Sequence, residues 1–94
     1  MAPLQFVFAD NAFKHGITED EVIAVFSNTE LPCLIFLYMT AHEEKIYNAL
    51  GATAAGRYLT IGFVKMTAHT YRIIHATEMK EAEKRRFKHL RKRK

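Results

Sequence analysis

The chain has 94 residues, enough for one modest hydrophobic core, so we predict a single domain over residues 1–94. Its 49% hydrophobic content excludes a wholly disordered chain, and its single cysteine, Cys33, excludes an internal disulfide and a cysteine-based zinc site. The net charge of +4 is unevenly distributed: residues 72–94 carry ten Lys and Arg against three Glu, whereas residues 1–71 carry four against seven acidic residues. This polarity indicates an anionic partner, with a solvated basic tail as the alternative.

Membrane and metal sites are not predicted. No apolar stretch approaches the roughly 20 residues that cross a bilayer, and the N-terminus lacks the basic start and apolar segment of a signal peptide. We therefore predict a cytoplasmic protein with no membrane partner. The histidines and acidic residues show no spacing typical of metal ligands, so neither a metal nor another cofactor is expected.

The first third of the chain predicts one strand and two helical segments. Leu4–Ala9 alternates as a short strand, and a brief helical turn over Ala12–His15 ends at Gly16. Thr18 and Glu21 have the spacing of a capping box, which opens a second helix. The apolar stripe of this helix consists of Val22, Val25 and Phe26.

Four further strands are predicted, at Cys33–Met39, Glu44–Ala52, Arg57–Lys65 and Thr70–Ala76. The first of these is apolar on both faces, which predicts a central strand that is covered either by helices or by a second copy of the chain. In the third, alternation predicts that one face carries Leu59, Ile61 and Phe63.

A basic helix is predicted from Glu78 to Arg91, followed by a frayed tail at residues 91–94. Its apolar stripe is imperfect and consists of Met79, Ala82, Phe87 and Leu90. Glu81 and Arg85 form a favourable (i, i+4) pair. The whole order predicts an α+β fold: a first strand and two N-terminal helices packed on an antiparallel meander of about four strands, then a basic C-terminal helix.

Three collinear segments carry short motifs in a combination that covers nearly the whole chain. The first is Phe-Val-Phe at residues 6–8 followed by Lys14–Ile17. The second comprises Glu43–Lys45, Leu50–Gly51 and Gly56–Ile61, and the third comprises Arg72–Ala76, then Met79, Glu83 and Arg85–Phe87. In this order they resemble the BrnT family of toxins, within the wider RelE/ParE-like group.

The resemblance implies a RelE/ParE-like fold and the toxin component of a type II toxin–antitoxin system, a metal-independent ribonuclease that cleaves RNA and arrests translation and growth. It also implies an antitoxin partner, a ribbon-helix-helix DNA-binding protein that covers the active face, with operator DNA bound only through the complex. One departure is clear. The family's Ser-Ala-Arg reads His75-Ala76-Thr77 here, so its arginine is missing.

Five residues are candidates for catalysis: Arg57, Arg72, Lys14, His15 and His75. Arginine suits phosphate because its planar fork binds two oxygens, and histidine titrates near neutral pH. Arg57 and Arg72 lie in neighbouring predicted strands, so both are expected to face one groove; the alternative is an arginine paired with a nearby Glu. Strict alternation places Arg72 and His75 on opposite faces unless a bulge intervenes.

A second set of residues is predicted to hold the RNA backbone or a base: Lys84, Arg85, Arg86, Lys88, Arg91 and Tyr58. The alternatives are docking of an acidic antitoxin segment for the helix and a half-buried sheet position for the tyrosine.

Three hypotheses follow for the whole chain. It is a ribonuclease toxin, a catalytically degenerate module that binds an antitoxin or nucleic acid without cleavage, or a nucleic-acid-binding protein unrelated to toxins.

Overall fold

The computed structural model describes residues 4–10, 12–13 and 16–92. These form, in chain order, β1 (Gln5–Phe8), α1 (Glu19–Ser27), β2 (Leu34–Met39), β3 (Lys45–Ala52), β4 (Tyr58–Thr67), β5 (Thr70–Glu78) and α2 (Glu81–Lys92). The strands make one sheet in the order β1-β5-β4-β3-β2. Strands β2 to β5 are antiparallel neighbours, as the meander prediction requires, and β1 lies parallel to β5.

The α+β class is therefore confirmed, with a mixed sheet of five strands and two helices. Between β1 and β2 the described residues contain one helix, α1, and residues 12 and 13 form a turn. Lys14 and His15, where the predicted first helical turn ends, lie outside the described residues.

Helix α1 begins where the sequence predicted. Gly16 takes a positive φ of 77°, a conformation that favours glycine because it has no Cβ. Thr18 then caps the helix: its Oγ1 accepts the Glu21 backbone N–H at 3.2 Å, and its own N–H donates to the Glu21 carboxylate at 3.0 Å. The predicted capping box is thus confirmed, and it satisfies two backbone donors that the helix itself cannot.

Helix α1 ends at Ser27, and the side chain of the next residue, the C-cap Asn28, fixes the following turn. The Asn28 Oδ1 accepts the backbone N–H groups of Glu30 and Leu31 at 3.1 and 3.0 Å, and its Nδ2 donates to the Ala52 carbonyl at 2.9 Å. One side chain therefore connects the helix end to the last residue of β3.

The main core lies between the sheet and α1, on what we call the α1 face. The predicted alternation in β4 is confirmed, since its three inward residues are fully buried together with Ile73 and two valines of α1; this set is Leu59, Ile61, Phe63, Ile73, Val22 and Val25. The Phe26 ring of α1 contacts the rings of Phe6, Phe63 and Tyr71 at centroid distances of 5.2–5.8 Å. These contacts hold α1 over β4, β5 and β1.

The opposite surface of the sheet, the α2 face, has a smaller core formed by Leu50, Met79 and Phe87. Met79 and Phe87 are buried as their predicted stripe requires, but Ala82 is exposed. The predicted stripe was partly wrong because β5 continues to Glu78 and α2 begins only at Glu81. Met79 therefore lies in the link between β5 and α2 and is not in helical phase with Ala82.

Within one chain, Cys33–Met39 is not the central strand that was predicted, and the helices of the chain do not cover both of its faces. Strand β2 is the last strand of the sheet, paired only with β3 among the described residues. Leu34 and Phe36 pack against the α2-face core, but Ile35, Leu37 and Met39 on the α1 face are exposed by 45, 52 and 54%. Helix α1 leaves these three side chains exposed, because it packs on β3 through Val25 and on Phe6, Phe63 and Tyr71 through the Phe26 ring.

Candidate functional site

A bulge in β5 determines which side chains of this strand lie on the same face of the sheet. Gly62 of β4 pairs with His75, whereas its neighbour Phe63 pairs with Ile73, so Ile74 is an extra residue in β5. Beyond the bulge the alternation of side chains is reset. Arg72 and His75 consequently lie on the same α2 face, the arrangement that strict alternation had excluded.

Gly62 provides the space for His75. A Cβ placed on Gly62 would overlap the Cε1, Nδ1 and Nε2 atoms of the His75 imidazole, so the ring lies directly over this glycine. Gly62 was not among the predicted site residues. A glycine inside a strand is typical of a bulge or of a close approach by another group, and that pattern was available in the sequence.

Arg72 is exposed, and its backbone lies between Val64 of β4 and Val7 of β1. It forms no ion pair with any side chain in the part of the chain that the structure describes. Its guanidinium is therefore available to an anion on the α2 face.

Arg57 is placed differently, and the prediction of one groove shared with Arg72 is wrong. Its guanidinium is bound to Glu21 of α1 at 2.7 Å and lies 3.6 Å from Glu78 of β5. Arg72 pairs with Val64, seven positions further along β4, which separates the two arginines by roughly 20 Å. Arg57 thus takes the alternative role, a sheet arginine paired with neighbouring carboxylates.

The Arg57–Glu21 pair has electrostatic consequences on both sides. Bonding to the Thr18 backbone N–H and to the Arg57 guanidinium lowers the pKa of Glu21, and the hydrogen bond from Glu21 raises the pKa of Arg57. Since both groups remain partly solvated, the pair anchors the start of α1 to the sheet without a large desolvation penalty.

This pair predicts a pH dependence of stability. Because the pKa of Glu21 is lower in the folded chain, its contribution is present at neutral pH. That contribution is lost as pH falls below the ordinary glutamate value of about 4.3. We expect Glu21→Gln to lower the free energy of unfolding at pH 7 and to have almost no effect at pH 3, as measured by urea denaturation. The control is Glu19→Gln, an exposed residue of the same first turn. Equal pH profiles for the two variants would contradict the role given to the pair.

The cations of α2 lie over aromatic rings of the sheet. The Arg86 guanidinium is 4.0 Å from the centroid of the Phe36 ring, and the Lys88 and Lys84 ammonium groups are 5.2 and 5.8 Å from that of Tyr58. Arg85 is exposed, and the side chain of Arg91 lies outside the described part. Tyr58 is thus a half-buried ring in contact with cations.

The helix ion pair also differs from its prediction. Lys84 Nζ is 3.7 Å from Glu81 Oε1, an (i, i+3) pair, in place of the expected pair between Glu81 and Arg85. The contact of Lys84 with the Tyr58 ring explains why Lys84 and not Arg85 pairs with Glu81, because it fixes the lysine side chain on the sheet side of α2. Arg85 is left exposed to solvent.

A carboxylate that the sequence analysis did not weigh lies on the α2 face. Glu83 Oε1 accepts hydrogen bonds from the Thr60 hydroxyl at 3.1 Å and from the Lys80 backbone N–H at 2.9 Å. Thr60 pairs directly with Thr77, the position at which the family resemblance expects an arginine. A carboxylate is therefore held beside the place where that arginine is absent.

Asn48 connects these features across the sheet. It pairs with Phe36 on one side and with Gly62 on the other, in the same cross-strand row as His75. Its Oδ1 is buried and accepts no hydrogen bond from the described residues. This row of side chains thus extends from the Arg86–Phe36 contact to the His75 imidazole. Together with Arg72 it forms a surface that we call the Arg72–His75 surface, defined by Arg72, His75, Asn48 and Gly62.

An open pocket of about 630 Å³ lies elsewhere, between the end of α1 and the β3–β4 turn. Its lining includes Ser27, Asn28, Leu31, Thr53 and Tyr58. Tyr58 is the one predicted site residue among the residues that line this pocket. The pocket therefore lies apart from the other described residues that were predicted to form the site.

The described part of the chain contains neither a cluster of metal ligands nor a membrane-spanning helix. Within residues 4–10, 12–13 and 16–92, no three His, Cys, Asp or Glu side chains cluster in a way that could hold a metal ion. No helix in that part of the chain is long and apolar enough to span a bilayer.

No protein-family model and no curated protein matches the sequence.

Proposed function

We propose that the chain is a metal-independent endoribonuclease, the toxin of a type II toxin–antitoxin system, with a RelE/ParE-like arrangement as its BrnT resemblance implies. The observation that carries the proposal is the β5 bulge, which places Arg72 and His75 on one open face of the sheet next to a strongly basic helix. An arginine and a histidine beside a track of cations are the groups that metal-free RNA cleavage requires.

The reaction is transfer of the phosphodiester to the neighbouring 2′-oxygen. His75 accepts the proton of the 2′-hydroxyl, the 2′-oxygen bonds to phosphorus, and the bond to the 5′-oxygen breaks. That oxygen leaves with a proton from solvent, which gives a 2′,3′-cyclic phosphate and a 5′-hydroxyl. Arg72 binds the non-bridging oxygens, where negative charge develops, through its planar guanidinium.

The basic helix holds the rest of the RNA. Lys84, Arg85, Arg86 and Lys88 supply sequence-independent attraction to the phosphate backbone, and we assign Arg91 the same role. The proposed antitoxin, a ribbon-helix-helix protein, covers this face and binds operator DNA, so toxicity requires its release.

Thr77 supports a second candidate function, a degenerate module that binds an antitoxin or RNA without cleaving it. The family's arginine is absent there, and the nearby Glu83 carboxylate already has two donors. If this reading holds, Thr77→Arg restores a cation beside Glu83 and creates RNA cleavage in a chain that otherwise has none. If the wild-type chain is already active, Thr77→Arg changes the rate of an existing reaction.

Purified protein separates the two candidates. Wild-type and Thr77→Arg chains are incubated with end-labelled RNA in EDTA, and in parallel with a translating extract, because cleavage that needs a ribosome is missed on naked RNA. Fragments with 2′,3′-cyclic phosphate ends from the wild type support the ribonuclease. RNA left intact by folded wild type but cut by Thr77→Arg supports the degenerate module. Intact RNA with both chains contradicts the ribonuclease and also the attribution of a lost activity to Thr77.

A further inference from the structure

The outer edge of β2 presents unpaired backbone groups in a defined pattern. The Thr40 N–H donates to the Glu44 carbonyl at 2.9 Å, which marks Thr40 as a residue whose backbone faces β3. In an antiparallel pair this orientation alternates along the strand. The N–H and C=O groups of Ile35, Leu37 and Met39 therefore point away from β3, toward an edge with no neighbouring strand among the described residues.

The same three residues expose apolar side chains. Ile35, Leu37 and Met39 lie on the α1 face and are about half exposed. Strand β2 carries no charge from Leu34 to Met39, and it has neither a proline nor a bulge. Natural sheets protect a free edge with such devices, so an uncharged apolar edge is a surface for pairing with another strand.

We propose that this edge is an interface with a second copy of the chain. The two β2 strands pair antiparallel about a two-fold axis at Leu37, with Leu37 opposite Leu37 and Ile35 opposite Met39 of the other copy. The five-stranded sheets then join into one of ten strands. Every outward N–H meets an outward C=O, and six apolar side chains form one continuous cluster on the α1 face.

Charge and symmetry favour a second copy over a different partner. The edge offers no charge that an acidic or basic segment would complement, and the residues of β2 itself place no like charges opposite one another when the strand pairs with its copy. The two-fold arrangement uses the β2 edge of both copies and closes the assembly. Arg72 lies on β5, three strands away, so the inference stands independently of the proposed ribonuclease.

One electrostatic consequence distinguishes this interface. The pairing brings the two Phe36–Arg86 contacts to neighbouring positions on the α2 face, where the guanidinium groups repel one another. Salt screens that repulsion and leaves the apolar contacts intact. The dimer should therefore become tighter when ionic strength rises from about 0.1 to 0.5 M, opposite to the behaviour of RNA binding.

Sedimentation equilibrium of the full chain tests the interface. We expect a mass of about twice the 10.9 kDa of one chain for the wild type and for Ile23→Lys, an exposed position on α1. Leu37→Lys places two ammonium groups against each other across the axis and should give a monomer with an unchanged circular dichroism spectrum. A monomeric wild type at high concentration, species that grow beyond a dimer, or a dimer that survives Leu37→Lys would each overturn the proposal.

Cross-linking gives a test that does not depend on disruption. Facing Leu37 residues of a hydrogen-bonded pair have Cα atoms about 5.5 Å apart, within disulfide range. In a Cys33→Ala background, Leu37→Cys should oxidise to a covalent dimer, whereas Ile23→Cys should not. Equal cross-linking of the two variants, or none at Leu37, would contradict the pairing.

Discussion

Arg72→Ala is expected to abolish growth arrest and to slow RNA cleavage by about 10²–10³-fold, with little change in stability. The magnitude is that of removing one group that stabilises developing negative charge in a transition state. Stability should be retained because Arg72 is exposed and pairs with no carboxylate among the described residues. Single-turnover cleavage rates and urea denaturation of the same preparations measure the two effects.

The matched control is Lys65→Ala. Lys65 is an exposed cation on the neighbouring strand, but its ammonium lies 4.7 Å from the Tyr47 ring, on the α1 face. Lys65→Ala lowers the net charge by one, as Arg72→Ala does. It also removes a cation–π contact worth about 0.5–1 kcal/mol. If both variants lose activity equally, general charge rather than the Arg72–His75 surface is responsible, and the site is misassigned.

His75→Ala is expected to reduce cleavage by about 10²–10⁴-fold, the usual contribution of a positioned general base. Single-turnover cleavage rates of the folded variant measure this loss. His69→Ala is the control, since His69 is an exposed histidine in the β4–β5 turn. Equal cleavage rates for His75→Ala and His69→Ala would show that another group accepts the proton.

Gly62→Ala tests the position of the His75 ring in a chain that still contains the histidine. The added methyl would occupy the space of the imidazole ring, so the ring must move while the histidine and Arg72 both remain. Activity should fall nearly as far as in His75→Ala. Full activity in Gly62→Ala would mean that the ring over Gly62 is not the reactive arrangement.

Local sequence patterns predicted local structure well. The Thr18–Glu21 capping box, the positive φ of Gly16 and the buried face of β4 all follow from neighbours within four residues. The meander was predictable for the same reason, because short turns join consecutive strands into antiparallel pairs.

Features that depend on distant contacts were not predictable in this way. The apolar composition of β2 is equally compatible with a buried strand and with an edge that binds another copy. Whether α1 covers it depends on where Phe26 finds aromatic partners. Strand β2 is last in the sheet because β1 joins the other end of the meander, beside β5, through a pairing of residues far apart in the chain.

The candidate site shows the same division. Arg72 and His75 were recognised as chemical groups, but period-two alternation separated them because a bulge shifts the register at one residue, Ile74. Arg57 was assigned to the wrong neighbourhood because its partner Glu21 is 36 positions away in the chain. Gly62 was the one local indication of the bulge.

Inducible expression of the chain alone, with colony counts and total RNA taken from one culture, tests the central claim most directly. It includes ribosomes and every cellular RNA, so no substrate has to be chosen in advance. We expect growth arrest with RNA breakdown in the wild type and in Lys65→Ala, and normal growth with intact RNA in Arg72→Ala. Normal growth and intact RNA in cells that contain folded wild-type chain would contradict the ribonuclease function.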